Sequence, residues 1–474
     1  MQRIAPGPAW PLFDTAALRR IEQAAAARLP PHTLMQRAGL AAARLALAIA
    51  PHARTVWVAC GPGNNGGDGF EAAMHLKRWG KDVAVTWLGE EARAPQDARA
   101  SLQRMRDAGV PIAASAPPDC DLAIDALLGI GTARALDGPM LETVRRLCAL
   151  DAPVLAVDVP SGLAADTGHG ESVIADATLT LLALKPGLFT AGGRDAAGEV
   201  WFDDLGLDAA SEPPAAILSA APPRTARRHA SHKGSYGDVA VIGGAPGMTG
   251  AALLAGTAAL HHGAGRVFVG LLDGGSLPVD AQQPDLMFRA WETLDVASMA
   301  VACGCGGGDA VRSALPRVMS AARALVLDAD ALNALAADPQ LQALVRSRSR
   351  RAPAVLTPHP LEAARLLGCT SAQVQADRLR AARELAQRLG SVVVLKGSGT
   401  VIAAPDETPR INPTGNAKLA TAGTGDVLAG MIAARLAAGQ PPLGAASSAA
   451  YEHGRIADEW PAGEPLTASR LSRR

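Results

Sequence analysis

The chain has 474 residues, which is long for a single core and favours two or three domains. Its 45 basic and 45 acidic residues give a formal net charge of zero, and no basic run could follow a phosphate backbone, so no nucleic-acid partner is expected. Neither a secretion signal nor a membrane-length apolar run is present, and the six cysteines are scattered. We therefore expect a cytoplasmic protein with reduced thiols and no membrane partner.

The first half alternates short apolar runs with helical patterns such as EAAMHLKRWG (71–80). Continuous apolar runs are typical of strands that are covered on both faces of a parallel sheet. This alternation predicts a Rossmann-like three-layer α/β/α domain over residues 1–215. The predicted strands are TVWVAC (55–60), DVAVTWL (82–88), LAIDALL (122–128) and PVLAVDVP (153–160).

The glycine-rich stretch CGPGNNGGDGF (60–70) links the first of these strands to a helix that we predict from Phe70. Backbone N–H groups at a helix N-terminus favour an anion, but a lone G-x-G-x-x-G is weak evidence for a dinucleotide. Asp68 argues against a pyrophosphate at this position, because two negative charges repel. The side-chain oxygens of Asn64, Asn65 and Asp68 suit a hard cation instead. The alternative is that Asp68 caps the helix.

Polar groups also follow two other predicted strands. Because the carboxyl ends of neighbouring parallel strands meet at one crevice, these groups and the glycine loop are expected to converge. Taken singly, Asp125 and Ser161 are equally compatible with ordinary turn and cap residues. Asp158 directly follows an apolar strand and is the stronger candidate for function. The residues expected to meet are Asn65, Asp125, Asp158 and Ser161.

The alternation lapses over residues 216–228, which we predict to be a linker, and restarts in the second half. The restart predicts a second α/β domain over residues 229–474. Its predicted strands are GDVAVIGG (237–244), ARALVLDAD (322–330), PAVLTP (353–358) and VVVLKG (392–397).

A long run of small residues in NPTGNAKLATAGTGD (412–426) leads into a helix that we predict from Val427. N–H groups at such a helix start can stabilise a transferring phosphoryl group. Asp426 would lie within reach of the attacking hydroxyl and could act as its general base. The alternative is that Asp426 is an N-cap.

Other predicted strand ends of the second half also carry polar groups. LKGSGTVIA (395–403) contains a glycine turn that suits an adenine or α-phosphate contact. His359 lies between two prolines, which favours a substrate contact over simple packing. Asp328, Asp330 and Asn333 suit either helix capping or ligand contact.

GPGNNGGDG, DALLGIG and DVPSG, together with LMQRAG (34–39) and LKPGL (184–188), resemble the N-terminal domain of the bifunctional NAD(P)H-hydrate repair enzymes. In that family the domain is an epimerase that interconverts the R and S forms of a nicotinamide cofactor hydrated at C6. The resemblance implies a potassium ion held by Asn65, Asp125 and Ser161.

Asp158 is our acid/base candidate in this domain, because moving a hydroxyl at C6 requires proton transfer near the ring. Lys185 is a second candidate, with an ordinary solvated lysine as the alternative. The substrate contacts implied by the resemblance are Asn64, Asn65, Gly66, Gly67, Asp68, Gly129, Ile130, Gly131, Thr132, Ala133, Arg134, Ala135 and Asp158.

GTGD at a helix start, KGSGT (396–400) and TPHPLE (357–362) resemble the ribokinase-like fold and, more narrowly, the ADP-dependent dehydratase half of the same enzymes. The implied reaction is phosphorylation of the C6 hydroxyl of the S hydrate by ADP or ATP, followed by elimination. NAD(P)H, AMP and phosphate result when ADP is used, and Mg²⁺ is expected to screen the phosphates. The implied nucleotide contacts are Lys396, Gly397, Ser398, Gly399, Thr400 and Gly425, and the implied hydrate contacts are Ala252, Gly306, His359 and Asp426.

One segment departs from the family pattern, because ACGCGGGD (302–309) replaces a Gly-Pro-Gly-Leu-Gly turn and is expected to shift the geometry at Gly306. Two other classes remain open: a small-molecule kinase of the hydroxymethylpyrimidine type, and a binding module whose first domain has lost catalysis. The upstream glycine loop argues against the first, and the presence of all four convergent residues argues against the second. We also expect a homo-oligomer.

Overall fold

The chain folds into two compact units in a computed structural model. The first comprises Met1–Ala5 and Trp10–Ala216, and the second comprises Pro6–Ala9 and Ile217–Arg474. None of the described helices is long and apolar enough to cross a membrane. The described residues are 1–131, 135–209, 212–223, 229–349, 351–352 and 354–474.

The first unit contains the predicted three-layer α/β/α arrangement. Its strands are β1 (Gln2–Arg3), β2 (Trp10–Leu12), β3 (Thr55–Cys60), β4 (Asp82–Trp87), β5 (Leu122–Ala126), β6 (Val154–Val157), β7 (Ala177–Leu181) and β8 (Glu199–Asp203). Its helices are α1 (Thr15–Ala26), α2 (Thr33–Ile49), α3 (Asn64–Arg78), α4 (Gln96–Asp107), α5 (Gly138–Cys148) and α6 (Gly193–Ala196). All four predicted strands are confirmed.

The sheet of this unit has the order β1-β8-β7-β6-β5-β3-β4 over the described residues. Every pair is parallel except β1 with β8. Successive residues of β3 enter different cores: Val56 and Val58 pack with α2 and α3, whereas Trp57 and Ala59 pack with α5. Burial on both faces explains why the strand sequence is a continuous apolar run.

The glycine-rich stretch is helical earlier than predicted. Helix α3 begins at Asn64 with Gly63 as its N-cap, so the prediction of a start at Phe70 is wrong. A Cβ on Gly66 would lie 2.1 Å from the Gly61 carbonyl oxygen. The missing side chain therefore lets the first turn of the helix pack directly on the strand tip.

The second unit has the order β12-β11-β10-β13-β14-β15-β16-β17-β18-β9 over its described residues. Its strands are β9 (Ala216–Leu218), β10 (Asp238–Gly243), β11 (Arg266–Leu271), β12 (Met287–Phe288), β13 (Ala300–Cys303), β14 (Ala324–Leu327), β15 (Val355–Leu356), β16 (Val392–Leu395), β17 (Val401–Ala403) and β18 (Arg410–Ile411). Its helices are α7 (Thr249–His261), α8 (Val311–Ala321), α9 (Asp330–Ala337), α10 (Pro339–Ser349), α11 (Pro360–Leu367), α12 (Ser371–Ala376), α13 (Arg378–Leu389), α14 (Thr424–Ala437), α15 (Pro442–Asp458) and α16 (Ala468–Leu471).

Two sequence predictions for this unit differ from the structure. Ile217 and Leu218 lie in the predicted linker but pair with β18, so the chain joins this sheet before residue 219. Residues 224–228 of that linker lie outside the described residues. Helix α14 starts at Thr424 rather than Val427, because the glycine at position 423 adopts a φ of +89° and starts the helix early.

Helices α7 and α14 pack against each other through alanine and glycine. A Cβ on Gly430 of α14 would lie 2.1 Å from the Ala255 carbonyl oxygen of α7. This approach is closer than any larger side chain permits. It accounts for a core that is rich in alanine and has few aromatic residues.

We predict that Gly430→Ala destabilises the protein by about 1–3 kcal/mol, because the added methyl must push two packed helices apart. Gly444→Ala in α15 is the matched control, since a Cβ there meets nothing within 4 Å. That change should be neutral or should stabilise by up to about 1 kcal/mol, because alanine favours helix over glycine. Urea unfolding of both variants measures the difference, and equal free energies of unfolding would contradict this packing.

Candidate active sites

A cavity of about 710 Å³ opens in the first unit, beyond the carboxyl ends of its parallel strands. This is where an open parallel sheet places its ligand crevice. The volume suits a small molecule. The walls come from α1, the start of α3, the turn at 127–131, and the segments after β6 and β7.

Asp158 lines this cavity immediately after β6. Its φ of +69° is strained for a residue with a side chain, and its backbone N–H donates to the Leu179 carbonyl at 2.7 Å. The Lys185 ammonium donates to the Asp158 carboxylate, to Thr180 Oγ1 at 2.9 Å and to the Leu181 carbonyl at 2.7 Å. Asp158 is therefore an anchored carboxylate.

Lys185 is only 1% exposed, so the alternative of a solvated lysine is wrong. Burial lowers the pKa of Lys185, and the neighbouring charge of Asp158 offsets part of that effect. The buried ammonium and the carboxylate therefore depend on each other for their charges.

Asp125 and Ser161 meet, as predicted, and both are fully buried. The Ser161 N–H and hydroxyl donate to the two Asp125 carboxylate oxygens at 2.8 Å and 2.6 Å. The Leu128 N–H donates to the Ser161 hydroxyl at 2.8 Å. Burial raises the pKa of Asp125 to about 6, although the hydrogen bonds from Ser161 act in the opposite direction. These contacts tie β5 to the loop after β6.

Asn65 is buried at the start of α3 and lines the same cavity. Its Nδ2 has no hydrogen-bond partner among the described residues. A Cβ built on Gly129 would lie 3.6 Å from the Asn65 side chain and 3.2 Å from Asp158 Oδ2. The turn after β5 therefore brings the glycine-rich helix and Asp158 together.

Asp68 is the fifth residue of α3, so the alternative that it caps the helix is wrong. It lines the cavity and is half-buried. Burial and repulsion from Asp158 and Glu22 raise its pKa well above the usual range. Glu22 of α1 also lines the cavity and has a raised pKa, from burial and from Asp158. Sequence reasoning missed Glu22 because it lies in an ordinary helical pattern without a motif.

The other predicted contacts of this unit are distributed unevenly. Gly66 and Gly67 are buried within α3, and Ala135 is exposed and does not line the cavity. Thr132, Ala133 and Arg134 lie outside the described residues. The predicted contacts that line the cavity are Asn64, Asn65, Asp68, Gly129, Ile130, Gly131 and Asp158.

In the second unit, Asp426 is the third residue of α14, so the alternative of an N-cap is wrong. Three side chains that could bind a metal ion meet here, with one ligand atom from each within 4.8 Å of the others: Cys305, Asp328 and Asp426. The Cys305 thiol donates a hydrogen bond to the Asp426 carboxylate. Burial, with repulsion from Asp328, raises the pKa of Asp426 to about 6. Burial also raises the pKa of Cys305 well above its usual range.

Asp328 lies at the end of β14 and is nearly inaccessible to solvent. It accepts from the Lys396 ammonium at 2.7 Å and from the Thr357 hydroxyl at 2.8 Å. Burial acts to lower the pKa of Lys396, but the charges of Asp328 and Glu362 outweigh it and raise the pKa. Lys396 therefore presents a firmly held positive charge at this site.

The predicted nucleotide contacts come from two elements near the Lys396 ammonium: the start of α14 and the loop after β16. A Cβ on Gly425 would lie 3.2 Å from Lys396 Nζ. In the loop after β16, Gly397 has a φ of +133°, and a Cβ there would lie 2.9 Å from the buried Arg378 guanidinium. Thr400 closes this loop by donating its hydroxyl to the Gly397 carbonyl at 3.1 Å. Ser398 is exposed and Gly399 is buried in the same loop.

His359 has a structural role in addition to its predicted one. It is the N-cap of α11, where its Nδ1 accepts from the N–H groups of Leu361 and Glu362. The Glu362 carboxylate accepts from the His359 N–H at 2.8 Å and completes a capping box. Burial raises the pKa of Glu362 to about 7. The side chain of His359 remains about half exposed.

The two other predicted hydrate contacts lie near the glycine turn after β13. Gly306 has a φ of +58°, and its carbonyl accepts from the Ala245 N–H at 2.7 Å. Ala252 is fully buried in α7. Another cavity of about 550 Å³ lies near β11 and β12, and none of the predicted site residues lines it.

Comparisons with known proteins match both units. A family model described as YjeF-related protein N-terminus matches residues 31–187, and one described as NAD(P)H-hydrate dehydratase matches residues 239–473. The bifunctional NAD(P)H-hydrate repair enzyme Nnr of Escherichia coli strain K12 is 40% identical, covering 93% of this chain and 88% of its own. The enzyme of the same name from Moorella thermoacetica is 37% identical, covering 94% and 92%.

A solved structure of the ADP/ATP-dependent NAD(P)H-hydrate dehydratase from Bacillus subtilis, co-crystallised with ATP and Mg²⁺, is 34% identical. The match covers 52% of this chain and 90% of that one, with a TM-score of 0.42.

Two α/β units, each with a carboxylate site at the ends of its parallel strands, define a two-domain enzyme that acts on small molecules. The chain belongs to the family of bifunctional NAD(P)H-hydrate repair enzymes. The predicted family is therefore confirmed, and so is an α/β fold in both domains, with the Rossmann-like three-layer arrangement in the first.

We predict that Lys396→Met destabilises the protein by about 3 kcal/mol, because it leaves the buried Asp328 carboxylate without its cation. Arg312→Met is the control, since the pair of Arg312 with Asp309 is exposed and should contribute less than about 1 kcal/mol. Denaturant unfolding measures both. Equal losses in the two variants would mean that the Lys396–Asp328 pair does not anchor this site.

Proposed function

We propose that this chain repairs hydrated nicotinamide cofactors in two steps. The first unit interconverts the R and S hydrates of NAD(P)H, and the second unit dehydrates the S form with ADP, giving AMP and phosphate. The observation that carries the proposal is that each unit holds a buried lysine–aspartate pair at its strand ends, beside the residues implied to bind substrate. Family membership supports the same division of labour.

In the epimerase site, Asp158 is the proposed acid/base group. Its pairing with Lys185 holds the carboxylate at the wall of the cavity. An ionised carboxylate there can accept a proton from the substrate, or stabilise positive charge that develops on the nicotinamide ring as the C6 hydroxyl leaves. The glycine-rich start of α3 and the turn at 129–135 are the proposed substrate contacts.

In the dehydratase site, Asp426 is the proposed general base for the C6 hydroxyl. As that oxygen attacks the terminal phosphorus, Asp426 takes its proton, and the bond to the nucleotide breaks with AMP as leaving group. Phosphate then leaves C6 more readily than hydroxide would. Lys396 and the N–H of Gly425 face the phosphates in this proposal, with residues 397–400 on the nucleotide and Ala252, Gly306 and His359 near the hydrate.

Potassium fits the donor set that we propose for it. Asp125 is a fully buried carboxylate, and no described cationic side chain pairs with it. Asn65 is buried and offers an amide oxygen, and Ser161 supplies a hydroxyl oxygen. Carboxylate, amide and hydroxyl oxygens suit a hard cation. Such an ion would supply fixed positive charge below the substrate.

Magnesium fits the second site in part. Asp328 and Asp426 offer the carboxylate oxygens that Mg²⁺ prefers, whereas the Cys305 thiol is a poor ligand for it. Mg²⁺ keeps several waters and binds mainly through substrate phosphates, so one or two carboxylates suffice. When bound, Mg²⁺ would screen the charge of the phosphates.

A cytoplasmic location and a homo-oligomeric state stay predictions.

We predict that the protein, given mixed R and S hydrates and ADP, restores the absorbance of reduced nicotinamide from both forms. Asp158→Asn should leave only the S form recoverable at the enzymatic rate, because the first site loses its carboxylate. Asp426→Asn should abolish recovery of both, with a fall of about 100-fold or more, as expected for loss of a general base.

Asp82→Asn is the control, because Asp82 is an exposed carboxylate of the first unit. Full-rate recovery by Asp426→Asn would sink the proposed mechanism. Phosphorylation of an unrelated alcohol, with no recovery of either hydrate, would favour the kinase instead.

The dehydratase rate should rise as pH increases through about 6, because Asp426 must be ionised to accept a proton and its pKa is raised to that value. Cys305→Ala removes a donor that stabilises the Asp426 carboxylate, so the rising limb should move to higher pH. Cys305→Ser keeps a donor and should shift it less. Cys369→Ala, which alters a thiol elsewhere in the unit, should leave the profile unchanged.

A further inference from the structure

The cavity of the first unit contains more carboxyl groups than one acid/base residue requires. Asp68 from α3 and Glu22 from α1 line it together with Asp158. Asp158 is paired with the Lys185 ammonium. The charged groups that act most strongly on Asp68 are all acidic. The cavity therefore holds a lysine-paired carboxylate beside a carboxyl group, Asp68, for which the described residues form no ion pair.

We propose that Asp68 is the general acid of the epimerase, donating the proton with which the C6 hydroxyl departs as water. This role rests on the proposed function of the first unit. It goes beyond substrate contact, because Asp68 then takes part in the reaction itself.

The proposed reaction is a loss of water from C6 followed by addition of water to the other face of C6. The Asp68 carboxyl transfers its proton to the C6 hydroxyl oxygen, and the C6–O bond breaks with its electron pair on oxygen, which releases water. The lone pair of the ring nitrogen N1 forms a double bond to C6, so the ring becomes a cation facing the Asp158 carboxylate. Water then adds to the other face of C6, the electron pair returns to N1, and the proton that this water loses restores the Asp68 acid. Nothing is consumed.

The geometry gives Asp68 the position that this step needs. It lies in the second turn of α3, four residues after Asn64, which opens the proposed substrate loop. It is half-buried, so it is accessible from the cavity yet shielded from bulk water. Burial and the charge of Asp158 raise the pKa of Asp68, which favours its protonated form. Where neighbouring carboxyl groups differ in environment, as the lysine-paired Asp158 and Asp68 do, acid and base roles can fall to different residues.

Two further acidic side chains also raise the pKa of Asp68. Glu71 on the same helix and Asp97 on α4 are both acidic. Each has its own partner: Glu71 accepts from Arg104, and Asp97 contacts His32 Nδ1 at 2.6 Å. Arg104 and His32 therefore contact Glu71 and Asp97. The other acidic neighbours of Asp68 are Asp158, Glu22 and the buried Cys60 thiol, and the basic side chains of Arg19, His32 and Lys185 line the same cavity.

The test measures conversion of the R hydrate to the S hydrate by chromatography, without nucleotide, so that the second unit is silent. Rates are measured from weakly acidic to alkaline pH with the enzyme-free rate subtracted. The wild-type rate should fall as pH rises through the raised pKa of Asp68, because the acid is lost. Asp68→Asn should be at least about 100-fold slower, the lower end of what a positioned acid contributes, and should lack that fall.

Glu22→Gln tests whether Glu22, the other cavity carboxyl group with a raised pKa, is the acid instead. Its epimerisation rate should still fall as pH rises, as should that of the surface control Asp82→Asn. Thermal unfolding of each variant, compared with the wild type, shows whether the first unit is folded, and dehydration of the S hydrate with ADP shows that the second unit is unaffected. If Asp68→Asn keeps the wild-type rate or the fall, or if Glu22→Gln removes the fall, the assignment is wrong. If the wild type does not epimerise at all, the proposed function fails instead.

Discussion

Each unit buries a lysine–aspartate pair at the carboxyl ends of its strands, and the chemistry of each site depends on that pair. An isolated carboxylate at such a depth would cost several kcal/mol or become protonated. Lys185 pairs with Asp158 in the first unit, and Lys396 pairs with Asp328 in the second. In both units a threonine hydroxyl extends the pair: Thr180 accepts from the lysine in one, and Thr357 donates to the aspartate in the other.

The pair also determines the state of the carboxyl group beside it. In each site a second carboxyl lies near a charged aspartate, and burial together with that negative charge raises its pKa. For Asp68 the shift is large, which suits an acid. For Asp426 it is moderate, because Lys396 and the Cys305 thiol counteract it, which suits a base that must be ionised near neutral pH. The same physical arrangement thus yields opposite proton-transfer roles.

Sequence reasoning located the strands and the convergence of Asp125 with Ser161, because continuous apolar runs and parallel topology follow from local pattern. It placed the start of α3 too late, since the glycines that suggest a loop are required by close helix–strand packing instead. Glu22 and the burial of Lys185 were not predictable. Both depend on which distant elements pack around the cavity, and neither has a motif of its own.

The turn after β13 shows how the chain can depart from its family pattern and still keep the site. Gly304, Gly306 and Gly308 all have positive φ values, and a Cβ on Gly304 would lie 2.0 Å from the Asp328 carbonyl oxygen. Glycine at these positions therefore fits the left-handed backbone and the close approach to Asp328. The side chain between the first two glycines, Cys305, is fully buried, and its hydrogen bond lowers the pKa of Asp426. The departure from the family pattern thus places a buried thiol beside the proposed base.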